Sequence, residues 1–208
     1  MKFLSALLLA GATFVQAQTI AIVNRTTTVS DATLKGVMAA VAQQVHNEYK
    51  AKWSKDATFV FVGKNQSVPS GAWACNIDAK KGDYHTVTNG KPVAYCHVSG
   101  VSVDYWTNTI SHEVIEMLTD PMTTAYATMT DGTKVSLEPC DACETNDQGY
   151  RINNILMSDF VYPSWFYYGN SPYDYRGLIS APFQILPGGY LPTTNREGRE
   201  HGIDYYPH

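Results

Sequence analysis

The sequence is poor in charged residues, which make up only 16% of its 208 positions. The 19 acidic residues outnumber the 15 basic ones, so the formal net charge is −4. Proteins that hold the phosphate backbone of a nucleic acid need a basic surface, and this balance argues against a nucleic-acid partner. The sequence also lacks an internal repeat, and its length suits one domain with a substantial core.

Long apolar runs are absent after the first few residues, so no membrane-spanning helix is expected. At the N-terminus one lysine precedes an apolar stretch at residues 3–14, and small residues follow at a suitable cleavage position. This pattern predicts a secretory signal over residues 1–17 and a mature domain over residues 18–208. We therefore expect a secreted, extracellular protein with no membrane partner, in which sequons at Asn24 and Asn65 permit N-linked glycans.

Cysteine is scarce, with four residues in the whole chain. In an oxidising compartment an even number of cysteines suggests disulfides. Cys140 and Cys143 are close enough in sequence to pair with each other, which would leave Cys75 with Cys96, although the sequence allows three pairings. A redox CxxC needs a βαβ context and a four-cysteine zinc site needs a second CxxC, and the sequence offers neither.

The sequence also has no phosphate-binding loop, dinucleotide-binding fingerprint or nucleophile elbow. What it does contain in its first half are apolar, β-branched runs that predict strands at residues 19–23, 58–62, 71–75 and 92–98. Ser30 or Asp31 caps a helix after the first strand, and a second helix runs from Ser102 to near Thr119, before Pro121. The second half is rich in Gly, Pro, Asn and Tyr. We predict an α+β fold: a small mixed sheet, a central helix and a loop-rich C-terminal half.

The second predicted helix separates an apolar face from a polar one. Apolar residues recur every three or four positions along one side, at Val103, Trp106, Ile110, Val114 and Met117. His112 and Glu116 lie four positions apart on the other side, where their side chains are about 6 Å apart and can share one cation. A carboxylate directly after the histidine, here Glu113, can take a proton from water bound to that cation. The pattern therefore predicts His112 and Glu116 as metal ligands and Glu113 as a general base.

A third ligand is expected from the acidic segment around the CxxC pair, where Glu138, Asp141 and Glu144 follow at intervals of three. We favour Glu138 as the third ligand. Asp141 is the next choice and would otherwise orient His112 through its free ring nitrogen. These two roles could be reversed, so both residues are candidate metal ligands. Tyr150 or a later tyrosine is a candidate for stabilising an oxyanion on the substrate.

The same residues carry a resemblance to a known group. The run Ser111-His112-Glu113-Val114-Ile115-Glu116-Met117-Leu118-Thr119-Asp120-Pro121, followed by Glu138-Pro139-Cys140-Asp141, resembles zincin-like metalloproteins of microbial and phage origin. These proteins carry an SHExxExxxDP signature and a downstream ExxD. The likeness continues through Ser158-Asp159-Phe160-Val161 and covers roughly residues 90 to 192. It implies a zincin-like fold in which His112 and Glu116 hold a metal and Glu113 is the base.

The ligand set sets the expected chemistry. One His and two carboxylates leave a divalent cation formally neutral, so bound water is acidified less than by a site with two His. We expect Zn²⁺, with Mn²⁺ or Ca²⁺ as alternatives, and a secreted metallohydrolase, foremost a peptidase, acting on an extracellular peptide or polysaccharide. One alternative is a catalytically silent relative with a structural metal. Another is a glycan-binding or glycan-modifying protein with a groove lined by Trp165, Phe166, Tyr167, Tyr168, Tyr173 and Tyr175.

Overall fold

The computed structural model describes residues 17–80, 82–194 and 200–204. The predicted signal over residues 1–17 lies outside that part except for its last residue. Five strands form the main sheet: β1 (Gln18–Asn24), β2 (Ala57–Val62), β3 (Trp73–Asp78), β4 (Tyr84–Thr88) and β5 (Lys91–His97). They lie in the order β2-β1-β3-β5-β4. The first four strands in that order run parallel, and β4 runs antiparallel to β5 at one edge.

The two predicted helices, which begin after Ser30 and Ser102, are both present, and short helical elements accompany them. In order along the chain they are α1 (Asp31–Gln44), a π-helical turn (Val45–Tyr49), α2 (Lys50–Trp53), α3 (Val103–Thr119) and α4 (Pro163–Phe166). Ser30 Oγ accepts a hydrogen bond from the amide of Thr33 at 3.1 Å, and Ser102 Oγ accepts one from the amide of Tyr105 at 3.1 Å. Each cap satisfies a backbone amide that the first helical turn leaves free. Helix α3 ends two residues before Pro121, as predicted.

Helices α1 and α3 pack on the same face of the main sheet. Alternate residues of a strand face opposite sides, so Ile20 and Ile22 of β1 join the main hydrophobic core with both helices. Ala21 and Val23 belong to a small cluster on the other face. The predicted apolar stripe of α3 is buried except for Val103, which is 64% exposed at the first turn. One side of α3 is therefore fixed in the core.

The second half consists of short elements. They are β6 (Tyr126–Thr128), β7 (Lys134–Ser136), a 3₁₀ turn (Asp141–Cys143), β8 (Tyr150–Ile152), β9 (Ile155–Met157), β10 (Tyr190–Thr194) and β11 (Glu200–Asp204). Four of the strands form an antiparallel sheet in the order β11-β10-β7-β6, and β8 pairs with β9. Met157 and Phe160 join the main core, whereas Trp165 and Phe166 centre a second one.

The mixed sheet with few helices is consistent with the predicted α+β class. Strand β4 was not predicted. It has few apolar residues, as suits an exposed sheet edge, and its sequence therefore resembles that of a polar loop. Strand β3 begins at Trp73, two residues later than predicted. Among the described residues, no helix has both the length and the apolar character needed to cross a bilayer.

All four cysteine thiols are free and buried in the structure. The sulfurs of Cys75 and Cys96, on neighbouring strands β3 and β5, lie 3.8 Å apart, whereas a disulfide has an S–S distance of about 2.05 Å. Neither predicted bridge is therefore formed here. Pairing of Cys75 with Cys96 stays a prediction, because the two sulfurs are neighbours.

The two predicted sequons differ in accessibility. Asn24 is 3% exposed, and its Nδ2 donates hydrogen bonds to the carbonyl oxygen of Val29 at 3.2 Å and to Asp31 Oδ1 at 2.7 Å. A glycan would replace one of the two hydrogens of that nitrogen and remove one of these bonds, so the folded structure disfavours glycosylation at Asn24, which stays a prediction. Asn65 is exposed in a turn, and its glycosylation stays a prediction.

Two buried carboxyl groups, those of Asp159 and Asp174, hold the segment after β9 in place. Asp159 is fully buried, and its Oδ1 accepts hydrogen bonds from the amides of Phe160 at 2.8 Å and Arg176 at 3.3 Å. Asp174 accepts the amides of Leu178 and Ile179. Burial and the hydrogen bond to Asp174 raise the pKa of Asp159 from 3.8 to about 8. The folded protein therefore holds this proton more tightly than the unfolded chain does.

This carboxyl pair predicts a pH dependence of stability. Its contribution is complete below pH 3.8 and is lost as the pH rises through about 8. Within that window it should lower the free energy of unfolding by up to about 1.4 kcal/mol per pH unit. Denaturant unfolding between pH 5 and 9 should show a smaller decline for Asp159→Asn than for the wild type, while the exposed control Asp147→Asn should follow the wild type. Equal declines for all three proteins would contradict the prediction.

Candidate metal centre

One side of α3 faces a cavity of about 420 Å³. His112, Glu113 and Glu116 lie in its wall, and each is at least nine-tenths buried. Because the opposite side of α3 is packed in the core, these side chains have a rigid support. The rest of the wall comes from β4, the acidic segment and the start of β10, chiefly His85, Glu138, Asp141 and Tyr190.

In this cavity His112 lies close to two of the predicted carboxylate ligands. His112 Nε2 lies 3.1 Å from Glu116 Oε2 and 3.2 Å from Asp141 Oδ1. One ring nitrogen carries at most one hydrogen and cannot donate to both carboxylates. Asp141 Oδ1 is indeed buried without a hydrogen-bond partner among the described residues. The separations are close to the roughly 3.3 Å between ligand atoms of a tetrahedral zinc ion.

Glu113 and Glu138 face a different histidine. His85 of β4 has its Nδ1 3.7 Å from Glu113 Oε2 and its Nε2 3.8 Å from Glu138 Oε2. Its Nε2 also lies 3.3 Å from the carbonyl oxygen of Asp120. Within the described part of the chain, Glu113 Oε2 and Glu138 Oε2 are buried without hydrogen-bond partners. Glu138 thus faces His85, whereas Asp141 faces His112.

The site residues form several groups that fit a cation. Three potential ligand atoms lie within 4.8 Å of one another in each of these sets: His112, Glu116 and Cys140; His85, Glu113 and Glu116; His112, Asp141 and Glu144. The nitrogen and oxygen donors that dominate these sets suit Zn²⁺ and harder divalent ions. Together with the unpartnered carboxylate oxygens, this donor set fits a divalent cation.

The electrostatics of the cavity favour a bound cation. Burial, followed by repulsion from Asp141, raises the pKa of Glu116 to about 8. Burial and the charge of Glu116 likewise raise the pKa of Glu138. Burial opposes a charge on His112, but Glu116 and Asp141 outweigh it and raise the pKa of the imidazole. No Lys or Arg belongs to the cavity wall among the described residues, so a divalent cation would supply the counter-charge.

The acidic loop is held against α3 by backbone contacts. The amide of Cys140 donates to Glu116 Oε1 at 3.1 Å, which leaves Glu116 Oε2 to face His112. Gly189 packs so closely on the loop that a Cβ there would lie 2.6 Å from the carbonyl oxygen of Ala142 and 2.7 Å from that of Asp141. The next residue, Tyr190, lines the same cavity as Asp141. Glycine at position 189 is therefore what lets β10 approach the Asp141 loop.

Two other residues of the resembling signature have structural roles. Ser111 Oγ donates to the carbonyl oxygen of Asn108 at 2.8 Å and accepts from the amide of Ser158 at 2.7 Å, which ties α3 to the segment after β9. Asp120 accepts the amides of Thr124 at 3.0 Å and Ala125 at 2.8 Å. The Asp120 bonds shape the turn that leads from α3 towards β6.

Some sequence candidates do not reach the cavity. The Tyr150 hydroxyl donates to Glu48 and accepts from Gln44, so it does not lie beside the candidate metal ligands. Trp165 and Phe166 are at most 1% exposed in the second core. Because these two rings are packed inside the protein, they cannot stack on a sugar. This part of the glycan-groove prediction is wrong.

The structure adds His85, which the sequence did not single out, and of the later tyrosines that the sequence left open it brings Tyr190 to the cavity. His85 is a lone histidine in a segment that was not recognised as a strand, and no local pattern marks it. Tyr190 directly follows the Pro187-Gly188-Gly189 turn, and the paired glycines are the only sequence signal that this backbone approaches another closely. Both residues reach the site through tertiary packing.

Comparisons with known proteins identify no relative of this chain: no protein family matches its sequence, and no curated protein and no solved structure matches it. Any assignment of function therefore depends on the residues of the cavity and their geometry. The resemblance of the signature around His112 to zincin-like metalloproteins stays a prediction.

Gly189→Ala should weaken metal binding at the candidate site, although Gly189 is not itself a candidate ligand. Its Cβ would collide with two backbone carbonyls, and overpacking of this kind costs about 1–3 kcal/mol. We expect a lower melting temperature and at least tenfold weaker Zn²⁺ binding by calorimetry, because the Asp141 loop must move. The matched control is Gly36→Ala in α1, where a Cβ meets nothing within 4 Å and alanine favours the helix. Unchanged Zn²⁺ affinity in Gly189→Ala would show that the loop does not position a ligand.

Proposed function

We propose that this protein is a secreted, zinc-dependent metallohydrolase with a zincin-like fold, foremost a peptidase. The observation that carries the proposal is the position of His112 Nε2, which lies 3.1 Å from Glu116 Oε2 and 3.2 Å from Asp141 Oδ1 in a cavity that Glu113 also lines. The five-stranded mixed sheet and the motif-bearing helix beside a cavity support the zincin-like fold that the resemblance implies. The N-terminal signal pattern supports export.

The proposed ligands are His112, Glu116 and Asp141. Asp141 is preferred to Glu138 because it lies 3.2 Å from His112 Nε2, whereas the ion pair of Glu138 is with His85. This reverses the preference that the sequence suggested. Zn²⁺ suits one imidazole and two carboxylates, and Mn²⁺ is the nearest alternative.

Glu113 is the proposed general base. When bound, a divalent cation would polarise the scissile carbonyl and make a water molecule more acidic. Glu113 directly follows a ligand on α3, and its Oε2 has no hydrogen-bond partner among the described residues, so it is available to accept a proton from the attacking water. It can then return this proton to the leaving group. His85, 3.7 Å from Glu113, and the Tyr190 hydroxyl are the nearby donors that can stabilise negative charge on the substrate.

Strand β4 is the proposed support for an extended substrate. The neighbouring strand β5 is paired with β3 on one side and β4 on the other, so it has no free edge for a substrate. No described strand pairs with the outer edge of β4, and Tyr84 and His85 of β4 line the cavity. A peptide can add to such an edge through backbone hydrogen bonds, which favours a peptide over a polysaccharide substrate.

The ligand assignment predicts a pattern of metal contents. Wild-type protein equilibrated with Zn²⁺ should contain about one ion per chain, and His112→Ala or Asp141→Ala should bind at least tenfold more weakly. Glu138→Gln should keep the ion, because its carboxylate faces His85. Elemental analysis with circular dichroism as the folding control measures this. Loss of the ion in Glu138→Gln but not in Asp141→Ala would reverse the two roles, and a wild type without bound metal would end the proposal.

The base assignment predicts a selective loss of rate. Glu113→Gln should keep the metal and the fold but lose at least about a hundredfold in hydrolysis of a peptide mixture followed by mass spectrometry. Glu48→Gln is the matched control, since Glu48 is bonded to Tyr150 away from the cavity. A fully active Glu113→Gln would falsify the role of Glu113. A metal-loaded wild type that cleaves neither peptides nor polysaccharides would instead identify a silent relative whose metal is structural.

A further inference from the structure

A second cavity of about 380 Å³ continues from the proposed metal centre. Both cavities are bordered by Asp83, His112, Glu113 and Tyr190. The proposed base and one proposed ligand therefore stand between the two spaces, and a substrate that reaches Glu113 can extend into either one. Occupation of the second cavity would place a substrate group directly beside the reacting bond.

The wall of this second cavity is polar and acidic. Besides the shared residues it is formed by Tyr105, Asn108, Thr109, Glu144, Thr145 and Asn146. None of the described residues of this wall is a Lys or Arg. Of its carboxylates, Asp83 is already engaged by His97 Nδ1 at 2.7 Å and by the Tyr105 hydroxyl at 2.8 Å. Glu113 faces His85. Glu144 has no Lys or Arg partner among the described residues, and its nearest potentially cationic neighbour is His112, within 4.8 Å.

Asn108 provides an independent sign of a ligand that donates hydrogen bonds. This residue is 95% buried on α3, being 5% exposed. Its Nδ2 donates to the carbonyl oxygen of Glu144 at 3.0 Å and to Asn146 Oδ1 at 3.2 Å, which fixes the orientation of the amide. Its Oδ1 is buried without a partner among the described residues. A buried acceptor in this state is costly unless a donor reaches it.

We propose that the second cavity is a subsite for a positively charged group, the guanidinium or ammonium of an Arg or Lys side chain next to the cleaved bond. The inference rests on the proposed function and specifies its substrate. Glu144 supplies the counter-charge and Asn108 an acceptor, while the polar wall of Thr109, Thr145 and Asn146 accommodates the rest of the head group. A guanidinium carries five donors and no acceptor, which complements a wall rich in acceptors.

The test compares arginine with its neutral isostere. Quenched fluorescent peptides carry one Arg or one citrulline at each position flanking the cleaved bond. We expect kcat/KM to be about 10- to 100-fold higher for Arg at one of these positions, the range of a hydrogen-bonded charge pair. Glu144→Gln should reduce this ratio to near 1, whereas Asp147→Asn, an exposed carboxylate of the same loop, should keep it. Equal rates for Arg and citrulline peptides in the wild type would overturn the subsite.

Two further measurements separate this inference from the proposed function. Fluorescence anisotropy of the same peptides on Glu113→Gln reports binding without turnover, so a preference for Arg there supports the subsite even if nothing is hydrolysed, and no preference overturns it. The zinc content of Glu144→Gln should equal that of the wild type. Loss of zinc would show that Glu144 is a ligand, as its closeness to His112 and Asp141 allows, and would overturn its role in substrate binding.

Discussion

The burial of four carboxylates and two imidazoles around one cavity is the constraint on which the rest of the structure depends. Removing a carboxylate from water is costly unless a donor or a cation takes the place of that water, yet buried oxygens of Glu113, Glu138 and Asp141 have no donor among the described residues. Helix α3 can hold its buried polar side chains in position because its other side is packed in the main apolar core. The buried negative charge is therefore concentrated in one cavity, where a bound cation could neutralise it.

The second half of the chain completes the site through close backbone approaches rather than through long elements. The amide of Cys140 holds one oxygen of Glu116, the amide of Leu186 donates to the carbonyl oxygen of Ala142 at 2.9 Å, and Gly189 lies against the same loop. A short 3₁₀ turn held from two sides can place Asp141 within 3.2 Å of His112, which a freely moving loop could not do. Gly189 and the amides of Cys140 and Leu186 thus hold the loop of Asp141 in place.

Local patterns in the sequence were sufficient for the parts of the site that one helix carries. The 3.6-residue repeat placed His112 and Glu116 on one side of α3, and the serine caps and Pro121 set the limits of the helix. Glu138 and Asp141 could not be separated in this way, because the loop between them decides which one faces His112. His85 reaches Glu113 only after β4 pairs with β5, and no local pattern encodes that pairing. Trp165 and Phe166 show the converse, since an aromatic-rich segment looks the same from sequence whether it lines a groove or a core.

Glu116 in place of a second histidine should make a cation at the proposed site a weaker Lewis acid. With His112 and Asp141 it leaves a divalent cation formally neutral, so the cation withdraws less electron density from water and from the substrate carbonyl than a site with two histidines would. Catalysis at such a site must draw more of its charge stabilisation from neighbouring donors. His85 and Tyr190 lie in the same cavity wall as Glu113. Carboxylates around His85 raise the pKa of its imidazole although burial opposes this, so the same cluster that would weaken a bound cation as a Lewis acid also favours a donor beside the proposed base.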